Sequence, residues 1–238
     1  MANTRELRNR RKSVSNTRKT TRTMELVAST KLRKAQEAAE ASRPYAEALY
    51  ELVGKLAAAA GDGDGADSHP LMQQRPVSTV VLLLACSDRG LCGAFNVNLV
   101  KAVTERAAEL RAEGTAVEIV SCGKKGAATL RFLGETVVES HSGIMEAPEY
   151  ARAQDIGNGL IEDFLAGRVD RVEIVYSRYA SAASQEPDRA TLLPAGRVTG
   201  GDAEATDEAT EAGDFIFHPD AASLLESLIP QTVKVALY

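Results

Sequence analysis

The stretch Ser87-Asp88-Arg89-Gly90-Leu91-Cys92-Gly93-Ala94-Phe95-Asn96 follows an apolar run, Thr79 to Cys86, and leads into a helical pattern. A buried strand, a glycine-rich turn and a helix N-terminus can cradle a phosphate. The spacing here is Gly90-x-x-Gly93, not the G-x-G-x-x-G of a dinucleotide site, and "CGKKGAAT" at 122 to 129 lacks the spacing of a P-loop. Both phosphate templates therefore fit poorly. The competing reading is a tight strand-to-helix corner shaped by Gly90 and Gly93, with Asp88 and Asn96 satisfying local backbone donors.

Cys92, beside Arg89 at a helix start, has the setting that lowers a thiol pKa. His69, His141 and His218 are all distant in sequence, and a small buried side chain is the favoured reading of Cys92. Cys86, Cys92 and Cys122 have no metal-ligand spacing and read as buried, reduced thiols. The isolated serines Ser87 and Ser121 lack a G-x-S-x-G frame. The "GDGDGADS" segment at 61 to 68 fails the calcium-loop template, because Ala66, Asp67 and Gln73 stand at positions that need a ligand, glycine and glutamate. No catalytic, cofactor-binding or metal site emerges.

The elements that must carry these residues alternate after residue 77. Strands are predicted at 78–86, 116–121, 135–140, 171–179 and near 191–193, and helices at 94–112, 123–133 and 149–166. This order predicts an α/β fold with a Rossmann-like, mostly parallel sheet covered on both faces. Residues 61–76 read as a linker and 77–198 as the α/β domain. The run 199–214, with six acidic residues and no base, reads as a solvated acidic loop, and 215–238 as the start of a helical segment. A helix is expected from Asp220 or Pro219 through Leu228, with Pro230 interrupting it.

Residues 1–60 differ from all this. From Asn3 or Thr4 to Ala60 the first glycine is Gly54, so one helix of about 55 residues is predicted, roughly 80 Å long at 1.5 Å per residue. Leu7, Val14, Thr21, Ala28, Ala35, Ser42 and Leu49 recur every seven residues, with Thr17, Met24 and Lys31 beside them. A narrow seam of small residues predicts a coiled-coil partner, and Pro44 predicts a kink or break one turn upstream. Residues 1 to 36 hold eleven Lys or Arg against Glu6 and Glu25, a surplus of nine positive charges in a chain of net charge −5. An acidic partner, nucleic acid or membrane is implied. The aromatics Tyr45 and Tyr50 lie outside the basic run, which disfavours a nucleic-acid arm. With no apolar run of about 20 residues and no secretion-signal core, the chain reads as soluble and intracellular.

"TRKTTRTMELVASTKLRKAQ" (17–36), "ASRPYAE" (41–47), "SDRGLCGAFNVNL" (87–99), "GKKG" (123–126) and "DAASLLESLIP" (220–230) together resemble the gamma subunit of the bacterial F-type rotary ATP synthase. The resemblance spans the chain. It implies a non-catalytic rotor shaft in a proton-translocating ATP synthase, which couples ion-driven rotation to ATP synthesis in a hexamer of alpha and beta subunits. It further implies contacts with the epsilon subunit and the c-subunit ring, no cofactor, no nucleic acid, and a place at the cytoplasmic face of the bacterial plasma membrane. Met24, Glu25, Val27, Lys31 and Arg33 match the shaft motif that runs along beta-subunit loops. Asp88, Arg89, Gly90, Leu91, Cys92 and Gly93 match the second motif, whose implied role is architectural, near the shaft. The acidic loop falls where the family contacts the epsilon subunit and c ring.

Arg11 and Thr20 stand where the family usually has Ile, and Thr23 where it usually has Ala, so a polar seam is expected. "VKVALY" at 233–238 matches only the first turns of the family's C-terminal helix, so a truncated chain is expected rather than a shorter paralogue. The rivals are a nucleotide-dependent α/β enzyme and a basic-arm nucleic-acid-binding protein. Tight ATP or NAD binding by the isolated chain would favour the first, and steeply salt-dependent oligonucleotide binding the second.

Overall fold

The computed structural model describes residues 4–59, 69–144, 149–181, 184–195 and 220–238. The segment 61–68, read above as part of a linker, and the acidic loop 199–214 lie outside the described residues, as do Asn3, His218 and Pro219. The chain divides into two compact units, residues 1–48 and 49–238.

Helix α1 runs unbroken over Thr4–Ala59, 56 residues. Of the kink or break expected at Pro44, the break does not occur: the helix continues through it. The proline withholds one N–H, but the carbonyl it leaves belongs to exposed Glu40, where water can satisfy it. From Thr4 to Ala48 no side chain is buried in this chain.

In residues 49–238 a five-stranded sheet forms from β1 (Thr79–Ala85), β2 (Ala116–Cys122), β3 (Val137–His141), β4 (Arg171–Tyr179) and β5 (Gln185–Leu193). Its order is β3-β2-β1-β4-β5. β1, β2, β3 and β4 are parallel neighbours, and β5 pairs antiparallel with β4. Helices α2 (Phe95–Ala112), α3 (Lys124–Phe132), α4 (Tyr150–Leu165) and α5 (Ala221–Leu237) complete the domain. The mostly parallel α/β reading is correct.

Alternating side chains of each strand feed two cores. Val80, Leu82 and Leu84 of β1 meet Leu99, Val103 and Leu110 of α2 and Leu130 of α3 on one face. Val81 and Leu83 meet Leu160 and Phe164 of α4, Leu225, Ile229 and Val233 of α5, Leu56 and Leu71 on the other. Cys122 and Cys86 belong to opposite cores. Leu71, inside the segment read as a linker, is buried in the second core.

Three details differ from the sequence reading. β5 begins at Gln185, six residues before the short strand expected near 191, because its polar start is recruited by pairing with β4 at the sheet edge. Pro187 is tolerated in that edge strand. β3 starts at Val137 rather than 135. α5 passes through Pro230 without interruption. Buried Leu225, Ile229 and Val233 hold it on both sides of the proline, and the unpaired carbonyl falls on exposed Glu226. Asp220 caps α5 as expected, accepting the Ser223 N–H at 2.8 Å.

Among the described residues one charged side chain is deeply buried. Glu173 of β4, 3% exposed, accepts two hydrogen bonds from Arg106 of α2, both 2.9 Å, with Arg171 at 3.6 Å and Arg189 at 3.8 Å. Burial pushes the Glu173 carboxyl up, but Arg106 chiefly, with Arg189 and Arg171, holds it below the usual carboxylate range. A carboxyl lowered by folding stabilises the fold fully above its unfolded pKa of roughly 4.3 and loses that contribution as pH falls through the lower folded value. Glu173→Gln should therefore cost about 2 kcal/mol at neutral pH and flatten the acid limb of a urea-denaturation series, since Arg106 loses its charged partner. An unchanged acid limb would remove this pair from the account.

Candidate functional site

The Ser87–Gly93 turn lies at the carboxyl ends of the parallel strands. The strand order reverses between β1 and β4, the place where open α/β sheets bind ligands. A cavity of about 230 Å³ lies here, lined by Cys92, Ala94, Phe95, Asn98, Leu99, Ser177, Gln185 and Pro187. It has no Lys or Arg to meet a phosphate.

The anion position beside α3 is already taken. Asp88 Oδ1 accepts the N–H of Lys124, the first residue of α3, at 3.0 Å, and Oδ2 accepts the Gly143 N–H at 2.9 Å. One carboxylate thus satisfies an orphan helix donor and ties the loops after β1, β2 and β3 together. These donors are far in sequence, not local as expected. Asn96 does act locally, its Oδ1 accepting the Ser87 N–H at 3.0 Å. Asp88→Ala should cost about 1–2 kcal/mol in denaturant midpoint analysis and speed hydrogen exchange at Lys124 and Gly143, with Asp88→Asn intermediate. Wild-type protection at both amides in the variant would show that the carboxylate ties nothing.

The corner's left-handed residues are Leu91, φ 63°, and Gly93, φ 58°. Gly90 is not among them, so the corner is bent by Leu91 and Gly93 rather than by both glycines. Leu91 is 94% exposed. Arg89 and Gly90 are also exposed.

Cys92 is exposed rather than buried, because it precedes α2 on the outside of the turn. Its Sγ receives the Asn96 Nδ2–H at 3.2 Å and sits 3.8 Å from Ser87 Oγ and the Arg89 carbonyl. None of these neighbours is a base that activates a thiol. Cys86 and Cys122 are buried, as expected, and free. Burial pushes the Cys86 thiol up, and burial with nearby charge pushes Cys122 up to about 12, so both stay protonated at neutral pH. Among the described residues no group of three or more His, Cys, Asp or Glu is placed to hold a metal, and no helix is long and apolar enough to cross a membrane.

The other candidate surface is α1. Leu7, Val14, Met24, Leu26, Val27 and Leu32 are exposed large apolar side chains along it. Met24 is 50% and Val27 52% exposed. Glu25 is paired with Arg22 at 2.7 Å, Arg33 with Glu37 at 3.5 Å, and Lys31 is exposed. The threonines that make the seam polar turn their hydroxyls inward. Thr17, Thr20, Thr21 and Thr23 each donate to the carbonyl four residues back, at 3.1, 3.1, 2.6 and 3.1 Å. Each hydroxyl is then satisfied within its own helix. A close partner need not hydrate them. Sequence spacing found these positions, but only the structure reveals how their polar atoms are satisfied.

A family model described as ATP synthase matches residues 3–238. The ATP synthase gamma chain of Maridesulfovibrio salexigens is 38% identical over 244 aligned positions, covering all of this chain and 80% of its own length. That of Gemmatimonas aurantiaca is 40% identical over 240, covering all of this chain and 79% of its own. Among solved structures, a chain of the central stalk and c-ring of the Tetrahymena thermophila mitochondrial ATP synthase shares the fold with TM-score 0.51 at 19% identity, over 84% of this chain and 88% of that one. These matches, which run the whole length of this chain, place it: it belongs to the ATP synthase gamma-chain family.

Proposed function

We propose that this chain is the non-catalytic central-stalk subunit of a proton-translocating F-type ATP synthase, turning ion-driven rotation into ATP synthesis in an alpha/beta hexamer. The observation that carries this reading is the match, along the whole of this chain, to bacterial ATP synthase gamma chains at 38% and 40% identity. In this reading the exposed part of α1, up to Ala48, is one half of a coiled-coil shaft, and the α/β unit within 49–238 is the foot. Met24, Glu25, Val27, Lys31 and Arg33 bear on beta-subunit loops, and the basic surplus of the first 36 residues suits an acidic partner surface. The epsilon subunit and c-subunit ring meet the foot, which sits at the cytoplasmic face of the plasma membrane. The Asp88 to Gly93 turn is architectural. Coupling of this kind is differential stabilisation of subunit states by a moving contact, which needs stiffness and shape rather than an acid, base or metal.

A tag on this chain should isolate an ATPase hexamer with one copy of the chain per assembly. Equilibrium dialysis of the isolated chain should find no stoichiometric ATP. Tight ATP binding without a co-purifying hexamer would overturn the reading in favour of an α/β enzyme.

A further inference from the structure

The two faces of the sheet are covered unequally. α2 and α3 cover one face out to β3, while on the other the core formed with α4, α5 and the end of α1 takes residues from β2, β1, β4 and β5 and, among the described residues, none from β3. Between α4 and the outer strands β2 and β3 a cleft of about 490 Å³ remains. Its floor is apolar: Val120 and Leu160 are buried, Ile144 and Ile156 are half-buried, and Val138 of β3 is 52% exposed on the sheet face. Fully burying a side chain of that size contributes about 1.5–3 kcal/mol, and roughly half of this is left unrealised at Val138 by the described residues.

The rim carries four carboxylates, Glu118, Glu139, Asp155 and Asp163, against Arg152 and His141. Asp163 accepts from Arg168 Nε at 2.8 Å, and Glu139 lies 3.3 Å from His141 Nε2. Arg152 Nη1 is turned to the Ser142 carbonyl at 3.3 Å. Glu118 and Asp155 have no ionic partner among the described residues. The cleft therefore joins an apolar floor to a negative rim.

We infer that this cleft docks a segment of a partner polypeptide that presents apolar side chains flanked by Lys or Arg. A phosphate ligand would meet the carboxylates with Arg152 as its one guanidinium, and an uncharged ligand would leave the rim unmatched. The inference rests on the proposed stalk role only for the assembly in which it is tested.

Thiol footprinting decides it. Cys86 and Cys122 are buried, so the double variant Cys92→Ser, Val138→Cys carries one reactive thiol on the cleft. In the isolated chain this thiol should react readily with a maleimide; in the assembly isolated through a tag on this chain it should react at least about tenfold more slowly, as expected for an occupied interface. A benzophenone attached at that thiol should crosslink to a stretch of a different chain in which apolar residues are flanked by Lys or Arg. Adding Glu118→Lys and Asp155→Lys, both exposed positions, should cut the crosslink yield about tenfold, or ~1.4 kcal/mol, with the circular dichroism unchanged. Unchanged labelling in the assembly would overturn the inference. So would a crosslink to a second copy of this chain or to an acidic segment, or indifference to the charge reversals. If no ATPase hexamer is recovered, the stalk role fails separately, and the footprint in whatever assembly forms still decides the cleft.

Discussion

Gly123→Ala is expected to destabilise the α/β domain by about 3–5 kcal/mol, a large share of the roughly 5–15 kcal/mol that holds such a domain together. Gly123 caps α3 with φ 127° and ψ 135°, a backbone region open to glycine. A Cβ placed there would lie 2.2 Å from the Cys86 carbonyl oxygen and 2.7 Å from its carbon. Those are backbone atoms of the chain leaving β1, and the Cys86 N–H is bonded to the Cys122 carbonyl at 2.8 Å, so neither side can yield without parting the two central strands. Strain of about 1–3 kcal/mol and overpacking of similar size then add. Two controls separate the causes. Gly134 has φ 88° with open space around its Cβ position, so Gly134→Ala should cost only about 1 kcal/mol of backbone strain. Gly54, in α1 with nothing within 4 Å, should gain about 0.5–1 kcal/mol on replacement by Ala. Urea denaturation gives all three values, and a Gly123→Ala cost no larger than that of Gly134→Ala would show that the β1–α3 approach is not tight.

Met24→Asp combined with Val27→Asp is expected to lower coupled ATP synthesis by membrane vesicles more than about tenfold, a loss exceeding ~1.4 kcal/mol of coupling. The two side chains are half-exposed in this chain, so covering the remaining surface of both against a partner contributes about 1.5–3 kcal/mol in total. Surface ion pairs contribute about 0–1 kcal/mol and weaken with salt. Lys31→Gln with Arg33→Gln should therefore lower synthesis less than about threefold, even though the helix is so basic. Shape outweighs charge here. The aspartate pair should leave thermal unfolding unchanged, because both hydrophobic cores take their residues from beyond position 48. A lowered unfolding temperature would mean that these residues belong to the fold of the isolated chain.

The alternating elements were legible because β1, buried on both faces, reads as a continuous apolar run, and because glycines follow the helices. The first part of β5 escaped because "QEPDRA" has neither the residues nor the alternation of a strand, and its pairing with β4 supplies what propensity lacks. Pro230 misled because the local cost of a proline is fixed, while packing around it decides whether the helix ends. The turn's role was legible in outline only. No spacing rule links Asp88 to Lys124 and Gly143, which the sheet brings together from 36 and 55 positions away. The cleft between α4 and the outer strands has no sequence signature at all, because it is what the helices leave uncovered.

The most direct test of the stalk role uses the one exposed cysteine. With a fluorescent or magnetic probe on Cys92 and the alpha/beta hexamer held to a surface, ATP should drive continued rotation of the probe in one direction, and the rotation should stop when the hexamer's ATPase activity is inhibited. A probe that stays fixed relative to the hexamer while ATP is hydrolysed would contradict the account.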